Sequence, residues 1–174
     1  GTIHLLTDAD YPLPPAFDLA YGQSEQVVLE TDFRELETPE FQQAMLAAVT
    51  FSDGRTLESV LKESTYRALG DYCAAHGIPI ERLTEFLPGM VVVILTMVEL
   101  QRLGLVGIGV DQYFSAKSID ENKALGELET AEEQLAFIAT MGEGQEDDMI
   151  IYTLRDLKEL AEMMQAMKQA WRTG

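Results

Sequence analysis

Cysteine occurs once in the 174 residues, at Cys73, so no disulfide can form within the chain. Histidine occurs twice, at His4 and His76, and no H-E-x-x-H, C-x-x-C, G-x-S-x-G, P-loop or G-x-G-x-x-G pattern is present. Cys73 and His76 are three apart on a helical-looking segment, a spacing that lets them touch but builds no site around them; Cys73 reads as core. Basic residues are scarce: 12 Lys and Arg against 30 Asp and Glu leave a formal charge of −18. That excludes nucleic acid and anionic membrane as main partners, since both demand a basic face. It fits an acidic solvated surface, and also a field that attracts cations, divalent metals included. Long apolar runs are missing too. Met90 to Met97 is too short to span a bilayer and is closed off by Glu99, Gln101 and Arg102. No signal or transit peptide is visible. The chain starts without Met and in mid-strand, so it is expected to extend upstream. A removed leader then favours an extracytoplasmic place, periplasmic or membrane-anchored, over the cytoplasm.

What is present is an ordinary globular composition, 47% hydrophobic and 24% charged, of a length suited to one domain with a real core. Gly1 to Leu6 opens the chain as a short apolar strand, and Pro15 starts a short helix that Gly22 is expected to end. Gln26 to Glu30 is a β-branched strand, so the unit has the length of a right-handed parallel crossover. Helices are expected from Thr38-Pro39 to about Val49, from Ser64 to Ala75 ending at His76-Gly77, and from Ile80 to Phe86. Met90 to Leu103 reads as a buried helix, although its Val-Val-Val-Ile run suits a strand equally. Gly104 to Gly109 is a loop, and Val110 opens a helix with Asp111 in its cap or first turn. Ala124 to Glu129 is a strand, and Thr130-Ala131-Glu132-Glu133 is a capping box. From Asp147 to Arg172, apolar residues at Ile150, Leu154, Leu157, Leu160, Met164, Met167 and Trp171 make a long amphipathic helix. Its methionines suit a core or an oligomer seam. The class is therefore α/β, helix-rich, with a small, mainly parallel sheet flanked by many helices; three strands are few for this length.

If the three strands are parallel neighbours, their carboxyl ends share the edge where open α/β sheets place ligands. His4, Glu30 and Glu129 would converge there. One imidazole and two carboxylates are a mixed set suited to a divalent ion such as Mn, Co or Zn, with a spare carboxylate as general base. Each residue also has a plain structural reading: Glu30 and Glu129 as carboxylates near helix caps, His4 as a hydrogen-bonded core histidine.

At these same residues the sequence resembles the TraB/GumN family, which includes the Tiki metalloproteases that act on Wnt proteins. The similarity is carried by Gly1-Thr2-Ile3-His4-Leu5-Leu6 with Tyr11-Pro12-Leu13-Pro14-Pro15, and by Val27-Val28-Leu29-Glu30-Thr31-Asp32. Gly109 to Phe114 and Leu125 to Gln134 continue it, and the bacterial GumN-like branch fits best. The resemblance implies His4 of a G-x-x-H motif as a metal ligand, Glu30 and Glu129 as site and catalytic carboxylates, and Asp111 as a weaker candidate. It implies a fold related to EreA-like (erythromycin-esterase) and ChaN-like proteins, and hydrolysis of a peptide or protein substrate with a divalent metal. The family's second G-x-x-H is absent here, since Cys73 rather than Gly stands three before His76. The chain is accordingly expected to be the first two-thirds of a single domain, running over 1–174 and incomplete at its C-terminus and by a few residues at its N-terminus. Two other functions stay open on the same fold: non-catalytic peptide binding or regulation, and haem binding of the ChaN-like kind. Self-association through an open sheet edge or the last helix is a further expectation.

Overall fold

The structure, a computed structural model, describes residues 5–36 and 38–173. His4 therefore lies outside the described residues. β1 is Leu5–Leu6, followed by a 3₁₀ turn at Asp8–Asp10. α1 is Pro15–Gln23, with Pro15 at its first position; it runs on through Gly22 and is capped at Ser24. β2 is Gln26–Leu29, α2 is the single turn Phe33–Leu36, and α3 is Pro39–Ala48. The Thr38 hydroxyl accepts from the Phe41 N–H and so caps α3. α4 is Leu57–Val60 behind a Thr56/Ser59 capping box, and α5 is Glu63–Ala75. The segment expected to be helical over 80–86 forms only a 3₁₀ turn, Ile80–Arg82. α6, Pro88–Arg102, settles the ambiguous Val-Val-Val-Ile run as helix. Gly77 and Gly104 follow α5 and α6 with φ of +68° and +76°, conformations that favour glycine.

The loop expected over 104–109 contains β3, Gly107–Ile108, and it takes the place beside β1. The pairing is antiparallel, Leu5 opposite Ile108 and Leu6 opposite Gly107. A Cβ on residue 107 would stand 2.6 Å from the Leu6 carbonyl oxygen, so only glycine admits this approach. α7 is Val110–Asp120, β4 is Ala124–Glu127, α8 is Ala131–Thr140 and α9 is Glu146–Thr173. β4 lies parallel to β2 in the register Gln26–Ala124 through Leu29–Glu127. The molecule is thus mixed α/β and 65% helical. Among the described residues, its strands form two separate pairs, one parallel and one antiparallel. The expected single sheet with β1 next to β2 is corrected. β2 finds its parallel partner after a long excursion through α2 to α7, and β1 satisfies its backbone on a strand hidden in glycine-rich sequence.

Two hydrophobic clusters organise the packing. The larger joins α4, α5, α6 and the first half of α9 through Leu57, Leu69, Cys73, Val91, Leu95, Ile150 and Leu154. The smaller gathers Leu6, Tyr21, Val110 and Phe114 from β1, α1 and α7 and Leu13 from the connector before α1, with Phe17, Tyr113 and Trp171 against it. α9 spans about 42 Å at 1.5 Å per residue, enough to serve both clusters. Of its expected apolar stripe, Ile150, Leu154 and Leu157 are buried, while Met167 stays exposed.

Candidate site at the carboxyl ends of the parallel strands

The parallel pair continues one step past its regular strands. The Leu128 N–H donates to the Leu29 carbonyl at 3.0 Å, and the Glu129 N–H donates to the Glu30 carbonyl at 3.1 Å. Glu30 and Glu129 are thereby backbone neighbours at the carboxyl ends of β2 and β4, both with exposed side chains. Each occupies the first residues beyond a strand, where the chain turns away and side chains are freed from the sheet's alternation. Glu129 directly precedes Thr130, which caps α8 with Glu133 in a reciprocal box. Its carboxylate accepts from the Gln134 side-chain amide at 3.0 Å. A carboxylate there also favours the helix's positive end, so a structural role and a site role coexist in Glu129.

Asp32 and Arg34 follow Glu30 in the chain and were not among the candidate site residues. The Asp32 carboxylate accepts from the Arg34 Nε at 2.9 Å and from its backbone N–H at 2.9 Å. The Arg34 guanidinium holds the Asp32 carboxyl below the usual carboxylate range. With Leu29, Leu125, Gly126 and Glu127 the pair borders a hollow of about 230 Å³ just below the strand ends.

A larger cleft of about 350 Å³ runs along β2 between α1 and α7. Its walls are Phe17 and Tyr21 of α1, Val27 and Leu29 of β2, and Val110 and Phe114 of α7, a mainly apolar lining. Asp111, in the first turn of α7, is half-buried in that wall. β1 reaches the same neighbourhood through β3, since Ile108 faces Leu5 two residues before α7 begins. The structure therefore brings Glu30 next to Glu129 and sets Asp111 along a cleft whose lining reaches Leu29, the residue before Glu30. The cleft itself, built by residues far apart in the chain, left no signal in the sequence.

By donor type, two carboxylates fit a hard or borderline divalent ion. Among the described residues no three His, Cys, Asp or Glu side chains stand together as an ion-holding group. Glu30 and Glu129 are the described part of the expected set. His76 has a different role. Its Nδ1 lies 2.7 Å from the Tyr72 carbonyl oxygen, its ring stacks on Tyr72 at 3.9 Å, and it caps α5. Cys73 is buried, and burial pushes its thiol pKa up, which leaves little thiolate for nucleophilic work. No helix among the described residues is long and apolar enough to cross a membrane. The family model of the TraB/PrgY/gumN family matches residues 1–174. No curated protein and no solved structure matches the chain.

Proposed function

The chain belongs to the TraB/PrgY/gumN family, and from that premise we propose that it is a metal-dependent hydrolase of peptides on an EreA/ChaN-like fold. The observation that carries the reading is the adjacency of Glu30 and Glu129 at the carboxyl ends of two parallel strands, one residue past Leu29 in the wall of an apolar cleft on the β2 side. In this reading His4, Glu30 and Glu129 hold a divalent ion such as Mn, Co or Zn, and Asp111 is a nearby auxiliary carboxylate. The ion would supply Lewis acidity and bring the pKa of a water down towards neutrality. The chain's own residues would do the rest. Whichever of the exposed Glu30 and Glu129 carboxylates is not bound to the ion would take a proton from the attacking water and return it to the leaving amine. The cleft beside β2 offers apolar surface to a substrate side chain.

A second reading has its own support. Glu129 already accepts a hydrogen bond from Gln134 and sits at a helix start, so the same cleft could bind a peptide without cleaving it. Thermal-shift titration with Mn²⁺, Co²⁺ and Zn²⁺ separates the two. It is run on this chain and on a version extended past Gly174, with His4→Ala and Glu30→Gln as controls. A metal-induced rise in Tm that both substitutions abolish supports the hydrolase. A rise confined to the longer version assigns further ligands to that extension. No substitution-sensitive rise in either version favours peptide binding alone, and a Soret band on adding haem would favour the ChaN-like alternative instead.

A further inference from the structure

α9 meets the rest of the molecule twice. Its first turns bury Ile150, Leu154 and Leu157 in the larger cluster. Its last turns reach the smaller one, where the Trp171 and Phe17 rings lie 5.1 Å apart. Between the two landings the helix faces solvent, with Met163 54% and Met167 43% exposed. Helix over those turns gains little from burial, so the far end stays docked through what it meets there.

What it meets is Asp10, buried to 3% exposure. One carboxylate oxygen accepts from the Arg172 guanidinium at 2.8 Å. The other accepts from the Lys168 ammonium, from the Thr7 N–H at 2.9 Å and from the Thr7 hydroxyl at 2.7 Å. Arg172 also donates to the Ala9 carbonyl at 3.2 Å. Lys168 and Arg172 are one turn apart and present both cations from one helix face. A carboxylate this buried is costly unless it is paired and hydrogen-bonded, so Asp10 and the end of α9 hold one another in place.

We propose that the end of α9, from Met164 to Arg172, is a latch whose docking on Asp10 sets the wall of the apolar cleft, and whose release opens that wall while the larger cluster stays folded. The connection is short. Trp171 packs on Phe17, and Phe17 both lines the cleft and stacks on Phe114 at 6.2 Å. Releasing the latch frees Phe17 on one side and changes what the cleft admits. Neither Trp171 nor Asp10 belongs to the larger cluster, so that cluster does not depend on the docking.

Trp171 is the chain's single tryptophan and reports the docking directly. In Asp10→Asn its emission should move to the red. Amide exchange over 164–172 should quicken about tenfold or more, the change expected from losing one charge-assisted hydrogen bond. Amides of α5, α6 and the first three turns of α9 should exchange as in the parent. Lys168→Met keeps the apolar stem and removes one cation, and should move both readouts the same way by less. The neutral dye Nile red should bind the released variants more strongly. Ala20→Phe, at the exposed lip of the cleft, should suppress that gain. Unchanged Trp171 emission in Asp10→Asn overturns the latch. Faster exchange spread evenly over all helices also overturns it, because the end of α9 then has no independence. Dye binding indifferent to Ala20→Phe overturns the link to the cleft.

Discussion

Gly89, the second residue of α6, is where the packing of two helices depends most sharply on one missing atom. A Cβ built there would stand 2.2 Å from the Ile138 carbonyl oxygen and 3.1 Å from Met141 Cβ, at the end of α8. The obstacle is backbone, so no rotamer change relieves it. Gly89→Ala must push the last turn of α8 away by roughly 1 Å, loosening its van der Waals contact with α6. Overpacking of this kind costs about 1–3 kcal/mol. The helix-propensity gain of alanine over glycine offsets at most about 1 kcal/mol and counts for less in a first turn. The net expectation is a loss of about 1–2 kcal/mol, or a few degrees in Tm for a chain of this size. Gly70 in the middle of α5 is the internal control. Its added Cβ would meet nothing nearer than Ile80 Cδ1 at 3.6 Å, an ordinary contact. Gly70→Ala should therefore stabilise by about 0.5–1 kcal/mol. Urea titrations of the two variants beside the parent decide the matter through opposite shifts of midpoint. If Gly89→Ala stabilises as much as Gly70→Ala, the close approach of α6 to α8 is wrong.

Leu95→Ala, at the fully buried centre of the larger cluster, should cost about 2–5 kcal/mol by urea denaturation, and a much smaller loss would mean a loosely packed core. The Cys73 thiol should stay unreactive to Ellman's reagent in native buffer and react on unfolding, because burial both blocks access and raises its pKa. The Asp10 carboxyl is held well below the usual carboxylate range: burial alone would raise it, but the hydrogen bonds from Lys168 and Thr7 outweigh that. A folded value below the unfolded one means the stabilisation is fully present above about pH 4 and is lost as the pH falls further. Trp171 emission should accordingly stay constant from neutral pH down to about pH 4 and move to the red only in stronger acid; a shift already complete at pH 5 would contradict the assignment of Asp10 as anchor.

Local signals carried much of the fold. Thr38, Thr56 and Thr130 cap helices because a hydroxyl at that position meets an orphan N–H, a chemistry legible in four or five residues. The apolar period placed α5 and α9 for the same reason, since one helix face must be buried wherever its partner comes from, whereas α6, apolar nearly all round, left helix and strand open until the structure settled it. The two carboxylates at the strand ends were legible too, because Val27-Val28-Leu29 and Ala124-Leu125-Gly126 each read as strand and Glu30 and Glu129 follow within three residues.

Composition and period therefore determined a helix-rich α/β class, the limits of the longer capped helices to within a few residues though not the expected helix over 80–86, the burial of Cys73 and the pairing of Glu30 with Glu129 at the strand ends. Tertiary structure decided the pairing. A strand's hydrogen bonds are indifferent to which edge they meet, so β1 could settle on Gly107–Ile108, a segment whose glycines read as loop. It also decided the cleft along β2 and the anchoring of α9 on Asp10. The cleft joins α1 and β2 to α7 from across the chain, the anchoring joins residues more than 150 positions apart, and no local pattern records such a meeting.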